Sequence, residues 1–438
     1  MIDNYSDEKI DIFWVDFDGA EQPYFELESG TSTSIETYST HAWRLRDPAG
    51  TVIADIIDTS EPYQYYQIAQ DKTVAQVDFN PCKLPSETAY VGVALGFPEI
   101  ADRMDSAGTV KAAVLFVDFP DMTTTKTPEQ LFAMLDGASE FYKTESYGRL
   151  DWQLVPYLTM IRMTSTTEEL GLSDNSISGD EQRDYLQEAI DLADPNFDFS
   201  EMQAVYVISD PANSPTGYGP AFTGFPDWGI TADGNYMLSG VTSGQDLTYW
   251  GFLWLNHEVG HTMGLVDLYP YEVDYNKSNA NYDDSSRFVG DFGLMGNISG
   301  KGVELFAFER WQLGWLDDDQ IVCQSANDQT TTLTAIETPG GTKAVMVLTG
   351  PTTAVIVESR RALGYDSNLP DVGALVYTID TSIESGFGVL QVLPVLDGDP
   401  YFLEAPLGVG ESLTVGNVTV TVTAADENGD TVQVTVAP

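Results

Sequence analysis

The segment from Trp254 to Asp267, which reads WLNHEVGHTMGLVD, constrains the fold of this chain most strongly. Residues 248–264 are predicted to form a helix, and residues four apart on a helix share one face, so the imidazoles of His257 and His261 can reach one cation. Glu258 lies beside them, where its carboxylate can deprotonate a water molecule rather than ligate the metal. The segment therefore predicts a catalytic zinc site. The alternative, an ordinary helix with two surface histidines, is disfavoured because the chain contains three histidines in all.

A catalytic zinc ion needs a third protein ligand. The remaining histidine, His41, lies far away in the N-terminal region, so we expect a carboxylate. Gly264 can adopt the left-handed conformation that ends a helix, and this turn would bring Asp267, ten residues after His257, to the metal. Weaker candidates, with no defined spacing, are Glu272, Asp283 and Asp284.

A chain of 438 residues is too long for one hydrophobic core, so two or three domains are expected. Residues 1–80 carry short alternating segments, such as Ile10–Val15 and Ala42–Arg46, separated by turn residues, and this pattern predicts a β-sandwich. Residues 81–107 contain prolines and glycines with little periodicity, which predicts a linker that crosses a surface.

The short alternating segments of residues 1–80 do not continue between residues 108 and 320. The interval 211–247 is rich in Gly, Pro, Ser and Thr and is predicted to be a long loop, and such loops inside compact domains are usually functional. Residues 321–438 return to strand-like alternation. The expected fold class is multidomain α+β, with an N-terminal β-sandwich, a central α/β core and a C-terminal β domain. Within the core we predict strands at 111–117 and 204–208 and helices at 128–142, 180–193, 248–264 and 303–314.

The charge balance limits the classes of partner. The chain has 19 Lys and Arg against 68 Asp and Glu, a formal net charge of -49. Nucleic acids and anionic membranes offer no opposite charge, so neither is expected as a partner. The acidity suits either a saline habitat or the binding of divalent cations such as calcium. No apolar run approaches the roughly 18 residues of a membrane span, so none is predicted.

Two further features concern the compartment. The cysteines, Cys82 and Cys323, are far apart in sequence, and they predict either one disulfide or two buried thiols. The first residues, Met1–Tyr5, have neither a basic nor an apolar region, so no signal peptide is expected in this sequence.

Segments on both sides of the predicted zinc helix resemble the immune inhibitor A-like zinc metallopeptidases (family M6), a metzincin-like group. The segment 116–121 (FVDFPD) is similar to the first core strand of that family, and 141–150 (FYKTESYGRL) to its Tyr-x-x-x-Ser-Tyr-Gly segment. The segment 291–296 (DFGLMG) resembles the Met-turn, which would place Met295 beneath the zinc. With FERWQLGW at 308–315 and GALVYTID at 373–380, the resemblance covers residues 108–385.

This resemblance implies a secreted zinc-dependent endopeptidase with a metzincin-like core, often with structural calcium. The zinc ligands would be His257, His261 and Asp267, and Glu258 would be the general base. One departure is Val266, which stands where the family has a proline before the ligand Asp. The acidic insertion after Asp267 contains Asp274, Asp283 and Asp284 and is either a calcium site or a solvated loop.

Residues 12–47 resemble the β domain of the von Hippel–Lindau tumour suppressor, a module that recognises hydroxyproline. The five residues that form the hydroxyproline pocket of that family fall on Trp14, Tyr24, Thr37, His41 and Trp43, with Thr37 in place of a serine. Aromatic walls can pack against a pyrrolidine ring, while a hydroxyl and an imidazole can form hydrogen bonds with its hydroxyl group. The alternative is that the aromatic residues are sandwich core and that His41 is structural.

The two resemblances together predict an endopeptidase directed to hydroxyproline-containing protein such as collagen or gelatin. Plant-type hydroxyproline glycoproteins are a second candidate substrate. The alternative class is a non-catalytic or latent matrix-binding protein, either an adhesin or a zymogen. In a zymogen, Asn80–Pro85 would act as a cysteine switch, with the thiolate of Cys82 on the metal.

Overall fold

The computed structural model describes all residues except 1, 5, 7, 30, 34, 36, 39, 58–63, 78–79, 87–92, 98–102, 173–176, 226–227, 274–283, 395–398 and 438. The chain forms two compact units, and the described part is rich in β-sheet with few helices. The first unit comprises Met1–Pro85 and Gly96–Ala101, and the second comprises Ser86–Leu95 and Asp102–Pro438. The predicted linker 81–107 is thus shared between the two units, and several of its apolar side chains, including Leu84 and Leu95, are buried.

The first unit contains two four-stranded sheets, with strand orders β4-β1-β7-β8 and β3-β2-β5-β6. Alternate side chains of β2, beginning with Ile10 and Ile12, are buried together with Leu45 and Ile68, as expected for strands with one face toward a core. The strands are β1 (Ile2–Asn4), β2 (Ile10–Val15), β3 (Glu21–Leu27), β4 (Ser32–Thr33), β5 (Ala42–Arg46), β6 (Val52–Ile57), β7 (Tyr65–Ile68) and β8 (Val74–Val77).

The second unit begins with a five-stranded sheet of order β10-β9-β11-β15-β12, in which β12 alone runs antiparallel to its neighbour. The apolar run of β9 is buried along most of its length, as is typical of a parallel strand covered on both faces. The strands of this sheet are β9 (Gly108–Asp118), β10 (Leu150–Arg162), β11 (Ala204–Ile208), β12 (Ala221–Thr223) and β15 (Ser239–Thr242). A separate antiparallel pair consists of β13 (Ile230–Ala232) and β14 (Asn235–Met237).

Helix α3 (Gly179–Ala193) agrees with the predicted helix 180–193, whereas the other predicted helices of this unit are shorter or divided. The predicted helix 128–142 is two helices separated by a 3-10 turn and by Gly137, whose φ is 106°. The predicted helix 248–264 is interrupted at Gly251, whose φ is 54°. The helices are α1 (Pro128–Phe132), α2 (Ala138–Glu145), α3 (Gly179–Ala193), α4 (Leu247–Trp250), α5 (Phe252–Thr262) and α6 (Ala307–Gln312).

The interval 211–247 is not the plain loop that its composition predicts, because it contains the short strands β12 to β15. Strand β15 pairs in parallel with β11, from Ala204 opposite Ser239 onward, and β12 pairs with β15 at the edge of the sheet. Strands of three or four residues that contain Gly, Ser and Thr have no readable alternation, so the sequence pattern could not reveal them.

The C-terminal part of the second unit consists of two more sheets, with orders β16-β18-β19-β20-β21 and β17-β24-β23-β22. Valine side chains from both sheets fill a common core. The strands are β16 (Ile321–Cys323), β17 (Asp328–Thr334), β18 (Ala344–Leu348), β19 (Thr353–Arg360), β20 (Gly373–Asp380), β21 (Leu390–Leu393), β22 (Ser412–Val415), β23 (Val418–Asp426) and β24 (Gly429–Val436).

Fully buried ion pairs lie in both the helical and the C-terminal parts of the second unit, and hydrogen bonds such as that from the Arg360 Nη1 to the Glu304 carbonyl oxygen connect the two parts. Arg310 on α6 contacts Glu145 of α2 at 2.8 Å and Glu304 at 2.6 Å. Arg360 at the end of β19 binds Glu358 at 2.7 Å and Asp366 at 2.8 Å. Buried charges of this kind are tolerated only when each is paired, so the geometry of α6 and β19 is tightly specified.

We expect Arg310→Met to destabilise the protein by about 3–5 kcal/mol, because Glu145 and Glu304 would keep their burial and lose their cation. Urea unfolding followed by circular dichroism measures the change. Arg149→Met is the matched control, since it breaks an exposed pair with Asp317 and should cost no more than about 1 kcal/mol. Equal losses from both variants would contradict a structural role for the buried pairs.

Candidate metal centre and aromatic cluster

Helix α5 carries both histidines of the predicted zinc site and fixes their ring orientation. The Nδ1 of His257 lies 3.0 Å from the carbonyl oxygen of Leu294, and the Nδ1 of His261 lies 2.9 Å from that of Leu265. A carbonyl oxygen can only accept, so both imidazoles carry a proton on Nδ1. Each Nε2 atom is consequently turned toward the interior of the site, as in most histidine ligands of metals.

Asp267 meets these two nitrogen atoms from the loop that follows the helix. Its Oδ1 lies 3.1 Å from the Nε2 of His257 and 3.2 Å from the Nε2 of His261. Helix α5 ends before Gly264, whose φ is 104°, and the N–H of Leu265 returns to the carbonyl oxygen of Gly260 at 3.0 Å. This glycine-dependent turn reverses the chain and brings Asp267 back to the helix.

The donor set fits a zinc ion. The ligand atoms of His257, His261 and Asp267 all lie within 4.8 Å of one another, and within the described ranges no other three His, Cys, Asp or Glu side chains approach so closely. Two imidazoles and one carboxylate, with no fourth protein ligand in this group, match an open catalytic site rather than a closed structural one. Of the weaker candidates, Glu272 is exposed, Asp284 pairs with Arg287 at 2.7 Å, and Asp283 lies outside the described residues.

The electrostatics of the metal-free site show how strongly it attracts a positive charge. Burial opposes protonation of His261, but the Asp267 carboxylate outweighs burial and raises the pKa of His261 to about 9. Burial also lowers the pKa of His257, but the hydrogen bond with Asp267 together with the charges of Glu258 and Asp267 raises it overall. Burial raises the pKa of Asp267, but the two imidazoles prevail and hold it well below its usual range.

Glu258 occupies the position expected of a proton-transfer group. Its Oε2 accepts a hydrogen bond of 2.7 Å from the backbone N–H of Ala221, the first residue of edge strand β12. Burial raises the pKa of Glu258 to about 7, although the neighbouring imidazoles lower it in part. A carboxyl group with a pKa near neutrality can both accept and return a proton at physiological pH.

Met295 lies directly beneath helix α5. A Cβ atom at Gly260 would come 2.8 Å from the Sδ of Met295, so a larger residue at this position would require the Met295 side chain to move. The backbone oxygen of Met295 accepts from the N–H of Leu268 at 2.9 Å, and Leu268 directly follows the predicted ligand Asp267. The segment 291–296 therefore supports both the helix and the ligand loop.

Three residues of the site were missed by the sequence analysis. The ring of Tyr269 stacks on His257 with centroids 6.1 Å apart. Tyr271 and Ser385 contact Asp267 through hydrogen bonds. A tyrosine four residues after Asp267 is a weak sequence indication of a contact with it. Ser385 lies 118 residues from Asp267, and no spacing rule connects these two residues.

The first unit brings the five predicted pocket residues into one aromatic cluster. Trp14 and Trp43 are directly opposite each other on β2 and β5. The ring of Tyr24 lies edge-on to Trp43 with centroids 4.8 Å apart, and the Nε1 of Trp43 donates to the Oγ1 of Thr37 at 3.1 Å. The ring of His41 lies 5.4 Å from that of Trp14.

The side chains of this cluster differ in how far they are exposed to solvent. Trp43 is 6% exposed and belongs to the core of the first unit, as the structural alternative predicts for it. Tyr24 is 59% exposed. Phe17 and Tyr38, which flank His41, are 80% and 77% exposed, although large aromatic side chains are normally covered. The indole Nε1 of Trp14 is buried and has no hydrogen-bond partner among the described residues.

Both cysteines are disulfide-bonded, so Cys82 has no free thiolate. The cysteine-switch form of the latent alternative is therefore wrong for this structure. In the part of the chain that the structure describes, no helix is both long and apolar enough to cross a membrane.

Comparison with known proteins confirms the resemblance of the N-terminal region. Residues 1–61 match the family model for the VHL beta domain. No curated protein matches the chain. Among solved structures, the chain is similar to catalytically inactive OgpA from Akkermansia muciniphila in complex with an O-glycopeptide (glycodrosocin) substrate. That match has 11% identity and a TM-score of 0.27 over 77% of this chain and 94% of the other, which is too distant to bear on function.

We expect the zinc affinity of the protein to rise with pH up to about 9, because the proton that His261 holds in the metal-free site must leave before zinc binds. Competition with a fluorescent chelator at a series of pH values measures the affinity. A His41→Ala variant should give the same profile, since that histidine lies outside the site. A flat profile from about pH 6 to about 9 would contradict the assignment of His261 as a ligand.

Proposed function

We propose that this protein is a zinc-dependent endopeptidase whose N-terminal unit binds hydroxyproline-containing protein. The observation that carries the catalytic part is the convergence of the two Nε2 atoms and the Asp267 Oδ1, with both Nδ1 atoms committed to backbone carbonyl groups. A site built only for structure would be closed by a fourth ligand and would not need Glu258 beside it.

The residues of the chain provide the proton transfers of peptide hydrolysis. A zinc ion held by His257, His261 and Asp267 would act as a Lewis acid on the scissile carbonyl and lower the pKa of water. Glu258 takes the proton of the attacking water and delivers it to the amine that leaves. The N–H of Ala221 holds one oxygen of Glu258 in place, so its other oxygen is available for the proton.

The edge of the five-stranded sheet in the second unit suits an extended peptide. Strand β12 is the last strand of its sheet and pairs with β15 on one side, while its first residue contacts Glu258. A substrate that adds a strand to the free side of β12 would run past the proton-transfer group. Main-chain pairing of this kind is indifferent to most side chains, which favours an endopeptidase over an enzyme for small molecules.

The immune inhibitor A-like resemblance is part of this proposal. The position of Met295 beneath Gly260, and the hydrogen bond between the Leu294 carbonyl and His257, give physical roles to the segment that resembles the Met-turn. Secretion and structural calcium come with the resemblance and are proposed on that ground. Asp274 and Asp283, two of the three acidic residues considered for calcium, lie outside the described residues.

The proposed substrate class rests on the first unit. The VHL beta domain match and the aromatic cluster both favour a ring-shaped residue with a hydroxyl group. The exposed ring of Tyr24 offers an apolar wall, and the His41 imidazole offers hydrogen bonds. Collagen and gelatin are the most abundant proteins of this chemistry. The second candidate function is adhesion to hydroxyproline-containing protein without hydrolysis. The VHL beta domain match favours this function as much as it favours the endopeptidase.

A Glu258→Gln variant should hydrolyse fluorescent gelatin about 10²- to 10⁴-fold more slowly than the wild type with zinc supplied, because the amide cannot accept a proton. Continuous fluorescence assays measure the rate. Glu140→Gln, an exposed change on α2, should leave the rate unchanged. If the wild type cleaves neither gelatin nor casein, the adhesive role replaces the catalytic one.

A Tyr24→Ala variant should bind a hydroxyproline-containing collagen peptide about tenfold more weakly, because it loses the exposed wall of the cluster. Isothermal calorimetry with the hydroxyproline peptide and its proline counterpart measures the difference. Tyr236→Ala, at an exposed tyrosine of the second unit, is the matched control. Equal binding of the two peptides by the wild type would contradict hydroxyproline recognition.

A further inference from the structure

The two carboxylate oxygens of Asp267 have different partners. Oδ1 faces the two imidazoles, whereas Oδ2 accepts a hydrogen bond of 2.6 Å from the phenol hydroxyl of Tyr271. The same hydroxyl lies 2.9 Å from the Oγ of Ser385. A hydroxyl that donates to a carboxylate forms a charge-assisted bond, which is stronger than a bond between neutral groups.

The backbone on both sides of Asp267 is held by the same segment. The N–H of Asp267 donates to the Oγ of Ser385 at 2.9 Å, and the N–H of Gly386 donates to the carbonyl oxygen of Asp267 at 3.0 Å. The N–H of Tyr271 donates to the carbonyl oxygen of Gly386 at 3.1 Å. Residues 385–386 thus bind both the ligand residue and the tyrosine that orients it.

Gly386 is required for this arrangement. Its φ is 78°, and a Cβ atom there would come 2.3 Å from the ring of Tyr271. The segment lies in the connection between β20 and β21, which belongs to the C-terminal β-rich part of the second unit. The sequence analysis gave that connection no role in the site.

We propose that Tyr271 and Ser385 are positioning residues that orient the Asp267 carboxylate toward the metal. The proposal rests on the zinc site of the proposed function. Rotation of the carboxylate away from the imidazoles would break its charge-assisted bond with Tyr271, while the buried bond between the backbone N–H and Ser385 restrains the main chain of Asp267. Partners of this kind hold a ligand in its productive orientation before the metal arrives, which raises metal affinity.

Val266 makes such support necessary. In the family that this region resembles, a proline precedes the ligand Asp and restricts the backbone of the turn. Val266 does not fix its own φ angle as a proline ring does, and the hydrogen bonds with residues 385–386 restrain the turn that follows it. The distant segment thus takes over part of the restraint that a local proline would provide.

The test is the zinc dissociation constant of the full chain, measured by competition with a fluorescent chelator. Tyr271→Phe removes one hydroxyl and keeps the ring, and we expect it to bind zinc about tenfold more weakly than the wild type. Ser385→Ala should weaken zinc binding by a similar factor, and Ser385→Thr, which keeps the hydroxyl, should restore most of the affinity. Tyr249→Phe and Ser382→Ala are matched controls at exposed positions and should bind zinc as the wild type does.

Thermal unfolding of each metal-free variant shows whether it is folded. Wild-type zinc affinity in both Tyr271→Phe and Ser385→Ala would overturn the proposal, as would a loss in Ser385→Thr equal to that in Ser385→Ala. His261→Ala distinguishes failure of the site itself. If zinc binds this variant as tightly as the wild type, the proposed zinc site is wrong. If His261→Ala abolishes binding while the two hydroxyl deletions have no effect, only the positioning role fails.

Discussion

The contact between the Asp267 carboxylate and the two imidazoles is the interaction on which the site depends. A buried carboxylate is costly unless a positive charge faces it. In the metal-free protein that charge is a proton on an imidazole, which explains the raised pKa of His261 and the lowered pKa of Asp267. A divalent cation satisfies the same demand with both imidazoles neutral and the carboxylate ionised, so the arrangement favours a metal over a proton as pH rises.

The rest of the second unit keeps these three groups together. Gly264 allows the chain to reverse after α5, and Gly260 allows Met295 to pack beneath the helix. The buried pairs of Arg310 hold α2 and α6 together, and the Tyr142 hydroxyl on α2 donates to the carbonyl of Asn256 on α5. Because each of these supports is buried, the side chains of the site need little reorganisation when a cation arrives.

The arrangement of the aromatic cluster in the first unit is compatible with both roles that sequence reasoning treats as alternatives, a core and the proposed pocket. Trp43 is a core residue, and its indole also donates to Thr37 near the surface. Tyr24, Phe17 and Tyr38 remain exposed around it. Rigid core residues can form the base of a binding surface whose other side chains are exposed to solvent. Because the core residues are already ordered, ligand binding would cost less conformational entropy.

The sequence alone determined the features that depend on local spacing. Two histidines four apart need only a helix to share a face, a glycine after the helix permits the turn, and apolar runs such as β9 are sufficient to indicate buried strands. The short strands β12 to β15, the break at Gly251 and the buried ion pairs of Arg310 were not predictable, because their partners are distant in sequence. The contact between Ser385 and Asp267 was not predictable for the same reason. Spacing along the chain indicates the proposed metal ligands, whereas only tertiary packing decides which hydrogen bonds restrain them.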